Sequence, residues 1–153
     1  MNIGEGGLEI IKHYEQGPHG GPALQVYNDS AGIPTIGWGH RVLSWEDFSE
    51  GITEEEADAI LENDLAKTVY AVESMLTVDP TQNQFDAMVC LAFNIGTRAF
   101  QTSTLLRKFN AGDFDGAAAQ FPVWDKAHVN GQLVELKGLL ARRNTEKGLF
   151  QLV

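Results

Sequence analysis

Glycine and proline are spread so unevenly along this chain that they divide it into two kinds of structure. Gly17, Pro18, Gly20, Gly21, Pro22, Gly32, Pro34, Gly37 and Gly39 crowd the first forty residues, and both types thin out afterwards. Such a density of breakers leaves room only for turns and short strands, whereas the remainder is free to be helical. Before the breakers, Leu8, Ile10, Ile11 and Tyr14 line one side of a short opening helix that ends near Glu15, where Gly17 and Pro18 stop it. Leu24-Gln25-Val26-Tyr27 and Thr35-Ile36-Gly37-Trp38 read as two strands joined through Asn28-Asp29-Ser30-Ala31-Gly32. Beyond them, Thr53-Glu54-Glu55-Glu56 has the form of a capping box. It opens a long helix on which Ala57, Ile60, Leu61, Leu65, Val69, Val72 and Leu76 recur at helical spacing until Asp79-Pro80. Further helices are expected over about 82–95, 98–109, 113–121 and 133–150, separated by Gly96, Gly112 and Gly131.

This pattern predicts an α+β chain: a small N-terminal lobe with a β-hairpin (about 15–55), a linking helix (about 53–78) and a mainly helical lobe (about 80–153) that takes in the opening helix. A length of 153 residues suits one domain in two lobes, with a cleft between them. At 43% hydrophobic and 21% charged the chain is ordinary globular material, and no stretch approaches the roughly 20 apolar residues of a membrane span. Its first residues have neither a basic start nor an apolar run, so a cytoplasmic location is expected. The single cysteine, Cys90, lies among Met88, Val89, Leu91 and Ala92 and reads as a buried thiol. A formal charge of −10 argues against nucleic acid and anionic membranes as partners. Much of it falls between residues 46 and 64, where Glu46, Asp47, Glu50, Glu54, Glu55, Glu56, Asp58, Glu62 and Asp64 appear without a Lys or Arg; a solvated face is expected there.

Within the first forty residues an acid, a second acid and a hydroxyl stand close in sequence: Glu15, Asp29 and Thr35. Two such carboxyls are what glycoside hydrolysis uses, one to protonate the leaving oxygen and one to handle water at the anomeric carbon. Taken singly each residue has a plainer reading, Glu15 as a surface acid, Asp29 as a turn cap and Thr35 as a strand residue. The histidines His13, His19, His40 and His128 do not form a His-Glu-x-x-His pair, so a zinc amidase or peptidase is disfavoured. Gly37-Trp38-Gly39 lacks the third glycine and following helix of a nucleotide cradle.

In combination, these residues resemble the phage-type lysozymes, or endolysins, of glycoside hydrolase family 24. That family's pattern is a Glu, then an Asp or Cys, then five residues and a Thr leading into Ile-Gly-x-Gly-His, which Asp29, Thr35, Ile36, Gly37, Gly39 and His40 fit without a gap. Phe93-Asn94-Ile95-Gly96, Ala99-Phe100 with Ser103-Thr104-Leu105-Leu106, Asn110-Ala111-Gly112-Asp113, Trp124, and Gly138-Leu139-Leu140-Ala141-Arg142-Arg143 with Glu146 are similar to its later segments. One departure is the thirteen residues between Glu15 and Asp29, a longer connection than the best-known members have. Glu9 and Glu5 are therefore competitors for the role of Glu15.

The resemblance implies a lysozyme-like fold and hydrolysis, with inversion, of the β-1,4 bond from N-acetylmuramic acid to N-acetylglucosamine in peptidoglycan. It makes Glu15 the general acid and sets Asp29 and Thr35 around a water, with no cofactor and no metal. It places Arg142 near Glu15 as an orienting ion pair and His40 opposite Asp64 as a structural one. Asn94 and Ser103, with Thr104, become candidates for a sugar-binding wall, although helix-end Asn and Ser are commonly caps. Trp124 and Phe100 are expected in the core. The implied protein is a monomer that binds peptidoglycan, waits in the host bacterial cytoplasm and is released to the wall by a separate holin. A basic rim including Arg142 and Arg143, or moderate salt, is expected to offset the repulsion between this acidic chain and an anionic wall. A lytic transglycosylase, a non-catalytic wall-binding module and a metal-dependent amidase are the alternatives.

Overall fold

The computed structural model describes the backbone of residues 1–129 and 132–153, and the side chains of these except 127–129 and 132–135. The chain forms two compact units, one of residues 11–67 and the other of residues 1–10 with 68–153. Both boundaries fall inside helices: α1 (Glu5–Tyr14) and α2 (Glu54–Met75).

In the unit of residues 11–67, the end of α1 is followed by an antiparallel sheet of β1 (Ala23–Asn28), β2 (Pro34–Gly37) and β3 (His40–Arg41), in that order across the sheet. Tyr27 pairs with Thr35 and Ala23 with Gly37, with an irregularity in register between them. The two-residue strand β3, which the periodicity does not announce, sets His40 opposite Ile36. The long connection after Glu15 is folded on itself: Gly17 N–H donates to the Gly21 carbonyl at 2.8 Å, and Gly20 N–H to the Gly17 carbonyl at 3.2 Å. Gly17 also lies so close to the Ala23 backbone that a side chain there would collide with it. The extra residues thus form a closed turn that delivers the chain to β1. Helix α2 begins as expected, with Glu56 N–H donating to Thr53 Oγ1 and Thr53 N–H to Glu56 Oε1, each at 3.1 Å. Ile11, Ala23, Ile36, Ala57, Leu61 and Leu65 are the buried apolar residues of this unit.

The other unit is built on α3 (Gln82–Ile95), which is buried over the whole run from Phe85 to Ala92 and packs against α7 (Lys137–Gln151). An all-round apolar helix has to be central, and Cys90 sits there with its thiol donating to the Gly7 carbonyl. Thr81 and Gln84 close a second capping box at its start. One turn in, the buried Asp86 carboxylate accepts from Gly4 N–H (2.9 Å), Gly7 N–H (3.2 Å) and Gln82 Nε2 (2.7 Å), capping the start of α1 from a different element. Side chains at Gly4 or Gly7 would strike Asp86, which accounts for glycine at both positions.

Two helix assignments differ from the periodicity. The segment expected as one helix over 98–109 is α4 (Thr97–Gln101) and α5 (Thr104–Asn110), broken because Ser103 turns out of the helix and caps the second piece. A short α6 (Phe114–Ala118) follows, with Asp113 as N-cap, then a 3-10 turn (Phe121–Val123). The helix expected over 133–150 starts only at Lys137. Ahead of it, β4 (Lys126–Val129) and β5 (Gln132–Glu135) pair antiparallel, Val129 opposite Gln132 and Lys126 opposite Glu135. Gly131, read above as a helix separator, lies outside the described residues.

Candidate active site

Glu15 is the first residue beyond α1, its N–H still bonded to the Ile11 carbonyl at 2.9 Å, so the helix fixes where its side chain leaves. Its half-buried carboxyl rests against Gly39, in the turn between β2 and β3. Gly39 has φ +74°, and any side chain there would run into the Glu15 carboxyl. Two requirements therefore select glycine at this position: the left-handed backbone and the space that the acid occupies.

Asp29 and Thr35 are tied together through one peptide residue, Ile33. The Ile33 N–H donates to Asp29 Oδ1 at 2.9 Å, and the Ala31 N–H donates to the same oxygen at 2.8 Å. The Ile33 carbonyl accepts from Thr35 Oγ1 at 2.8 Å and from Asp29 N–H at 2.9 Å. Asp29 is therefore a turn cap, as an Asp in a hairpin usually is, but only one of its oxygens is used for that. Thr35 is buried, and its hydroxyl hydrogen is spent on Ile33, so that the oxygen faces any further partner as an acceptor.

Tyr27 connects these groups to Glu15. It is the cross-strand partner of Thr35, and its phenol is held above its ordinary pKa by partial burial and by the charges of Glu15 and Asp29. Sequence reasoning passed over Tyr27 and Ile33. The tyrosine could have been found as the residue two before Asp29, on the same strand as the turn.

The phage lysozyme family profile matches residues 18–146, a span that begins after Glu15 and includes Asp29 and Thr35. This chain belongs to the phage lysozyme family. An endolysin of Acyrthosiphon pisum secondary endosymbiont phage 1 is 45% identical over 151 residues, covering 99% of each chain. Among solved structures, an endolysin from Escherichia coli O157:H7 phage FAHEc1 superposes with a TM-score of 0.89 at 38% identity, covering 99% of this chain and 94% of that one. The muramidase domain of SpmX from Asticaccaulis excentricus gives 0.85 at 39%, covering 99% of each. The α+β, lysozyme-like fold expected from the sequence is the fold of this family.

The remaining predicted residues fall in two further clusters. His40 is held on both ring nitrogens, Nδ1 at 2.8 Å from Asp64 Oδ2 and Nε2 at 2.9 Å from Glu46 Oε1, which also accepts from Leu43 N–H. Burial alone would lower the imidazole pKa, but the hydrogen bonds and charges of Glu46 and Asp64 raise it, so the clamp favours the protonated ring. Glu46, expected in a solvated face, is a working partner of that clamp. In the other unit, Arg142, Arg143 and Glu146 are all buried, with Arg142 Nε 3.1 Å and Arg143 Nε 2.9 Å from the Glu146 carboxylate. Burial raises the Glu146 pKa against the pull of both arginines. Neither arginine can serve the expected basic rim, because neither reaches the surface. The Arg142 guanidinium also donates to the Cys90 carbonyl, and that of Arg143 to Asn94 Oδ1 at 2.8 Å, fixing an exposed amide from below.

The Ser103 hydroxyl is engaged within its own helix end. It is buried, donates to the Phe100 carbonyl at 2.7 Å and accepts from Leu106 N–H at 3.1 Å, which makes it the cap that separates α4 from α5. Phe100 is buried, as expected.

Proposed function

We propose that this chain is a muramidase that cleaves the β-1,4 bond from N-acetylmuramic acid to N-acetylglucosamine in peptidoglycan with inversion. The observation that carries this reading is the Ile33 bracket. It leaves Asp29 Oδ2 and Thr35 Oγ1 both acting as acceptors, and a water between two acceptors donates both of its hydrogens and keeps a lone pair for the anomeric carbon. Asp29, anionic, also stabilises the oxocarbenium-like charge and takes up the proton that the water loses. Glu15, half-shielded from water beside Gly39, donates its proton to the departing glycosidic oxygen. Asn94 is proposed to bind an N-acetyl group through the amide that Arg143 holds in place. His40 and Asp64 support the hairpin and do no chemistry.

Family membership and the endolysin relatives support extending the reading to lysis of a host bacterium. In that setting the protein acts as a monomer without cofactor, bypasses nucleic acid, waits in the host cytoplasm and reaches the wall after a separate holin opens the membrane. Among the described residues, no helix is long and apolar enough to cross a membrane.

The test is clearance of purified peptidoglycan by the wild type, Glu15→Gln, Asp29→Asn and Thr35→Ala, with the anomeric form of the first product read by NMR. All three variants should lose at least a hundredfold in rate, and the first product should be the inverted anomer. Full activity in Glu15→Gln would move the acid to Glu9 or Glu5. An anhydro product together with an active Asp29→Asn would make the enzyme a transglycosylase.

A further inference from the structure

His40 and Arg41 make up β3, and successive side chains on a strand leave opposite faces of the sheet. His40, opposite Ile36, is bonded to Asp64 on α2, and Ile36 is fully buried, so theirs is the packed face. Arg41 lies on the other face as the cross-strand partner of Thr35, which pairs in turn with Tyr27. Directly opposed residues share a face with their Cα atoms about 5 Å apart, so Tyr27, Thr35 and Arg41 form a row across the three strands. In that row the phenol is half-buried, the hydroxyl is buried and the guanidinium is exposed. Among the described residues, no hydrogen bond or ion pair holds the Arg41 guanidinium. The acids that follow it in sequence are committed elsewhere, Glu46 to His40 and the Leu43 N–H, and Asp47 to the Ser49 N–H at 2.9 Å.

In a chain of formal charge −10, an exposed cation that no acid of the protein takes up, set beside Thr35, is available to an anion of the substrate. The sugar rings of peptidoglycan are uncharged, and the carboxylates near its glycosidic bonds belong to the peptide stem that muramic acid carries. A guanidinium presents a planar fork of donors that matches a carboxylate in two parallel hydrogen bonds. We propose that Arg41 binds a carboxylate of the peptide stem and so makes the enzyme favour glycan whose muramic acid bears one. This rests on the muramidase reading, which sets a muramic acid against Asp29 and Thr35. The row then divides the work: Thr35 handles the water, and Arg41 on the next strand holds the charged branch of the same substrate.

The experiment measures kcat and KM on soluble glycan fragments that carry stems, and on the same fragments with their stem carboxylates converted to methylamides. The wild type is compared with Arg41→Gln and with Arg107→Gln, which removes one exposed positive charge from α5 as a control. Salt of about 0.1 M holds the screening length near 10 Å and suppresses the general repulsion between enzyme and substrate. On the native fragments Arg41→Gln should raise KM about threefold or more and leave kcat unchanged. On the amidated fragments it should match the wild type, and Arg107→Gln should match the wild type on both. The thermal midpoint of Arg41→Gln should not move, since its guanidinium holds no other described residue. An unmoved KM on the native fragments, an equal rise on both substrates, an equal rise in Arg107→Gln, or a loss confined to kcat overturns the proposal. Mass spectrometry of the wild-type products separates the two readings. If the bond from muramic acid to glucosamine is cut while KM is unmoved in Arg41→Gln, only the role of Arg41 has failed; if that bond is left intact, both have.

Discussion

The Glu15 carboxyl occupies the space that a side chain on Gly39 would need. Because the colliding group is the far end of a flexible side chain, an alanine at this position can be accommodated by moving the acid. Gly37 provides the control. Its φ of +64° is as left-handed as that of Gly39, but a Cβ there would meet Ala57 at an ordinary 3.6 Å and would not touch Glu15. Gly37→Ala and Gly39→Ala should therefore each cost about 1–2 kcal/mol of stability by urea unfolding. Only Gly39→Ala should also lose activity, by tenfold or more in peptidoglycan clearance.

The His40 clamp makes stability depend on pH in a defined direction. The folded-state pKa of His40 lies above its ordinary value of 6.5, so its contribution is complete below that pH and is lost as pH rises through the folded value. Glu46 is shifted the opposite way: the Leu43 N–H and His40 outweigh the effect of burial and hold its carboxyl below 4.5. Its contribution is present above that pH and fades as pH falls through the lower folded value. The penalty for His40→Asn should therefore be greatest between about pH 4.5 and 6.5, on the order of 2 kcal/mol. Thermal melts across pH should show the gap to the wild type narrowing on the alkaline side.

Asp86 joins the start of α1 to α3, and no local capping side chain at Gly4 replaces it. Asp86→Ala should leave two backbone N–H groups and the Gln82 amide without their acceptor, costing about 2–3 kcal/mol in urea unfolding. A drop below about 0.5 kcal/mol would show that water takes over the cap.

How much could be read in advance follows from the range of each interaction. The capping box at Thr53, the hairpin around Asp29 and the end of α1 at Glu15 are local, decided by residues three or four apart, and all three were legible. The break at Ser103 was less so, because Ser103-Thr104 looks like helix interior until the buried Phe100 carbonyl claims the hydroxyl. The β4–β5 pair is not announced by periodicity, because runs as short as Lys126–Val129 and Gln132–Glu135 do not separate strand from helix. Nothing local marks Asp86 as the cap of α1, 79 residues from Gly7, or Glu46 as the second acceptor of His40. Family resemblance supplied the pairing of His40 with Asp64, which periodicity could only suggest as an acid beside an apolar stripe.

Ser103 and Asn94 separate a structural role from sugar binding. Ser103→Ala removes an N-cap and should lower stability by about 1 kcal/mol while leaving KM for peptidoglycan fragments unchanged. Asn94→Ala removes an exposed amide and should raise KM severalfold. A raised KM for Ser103→Ala would return it to the sugar wall.

Salt should reveal how this acidic chain meets an acidic wall. Buried against Glu146, Arg142 and Arg143 present no basic rim to the wall, and a formal charge of −10 acts against encounter. Raising ionic strength toward 0.1 M shortens the screening length to about 10 Å and should increase the initial rate of clearance. The gain should appear in the second-order rate at low substrate and vanish at saturation, since it acts on encounter and leaves the chemical step alone. A rate that falls steadily from the lowest salt would mean that a basic patch elsewhere on the surface steers the enzyme to the wall.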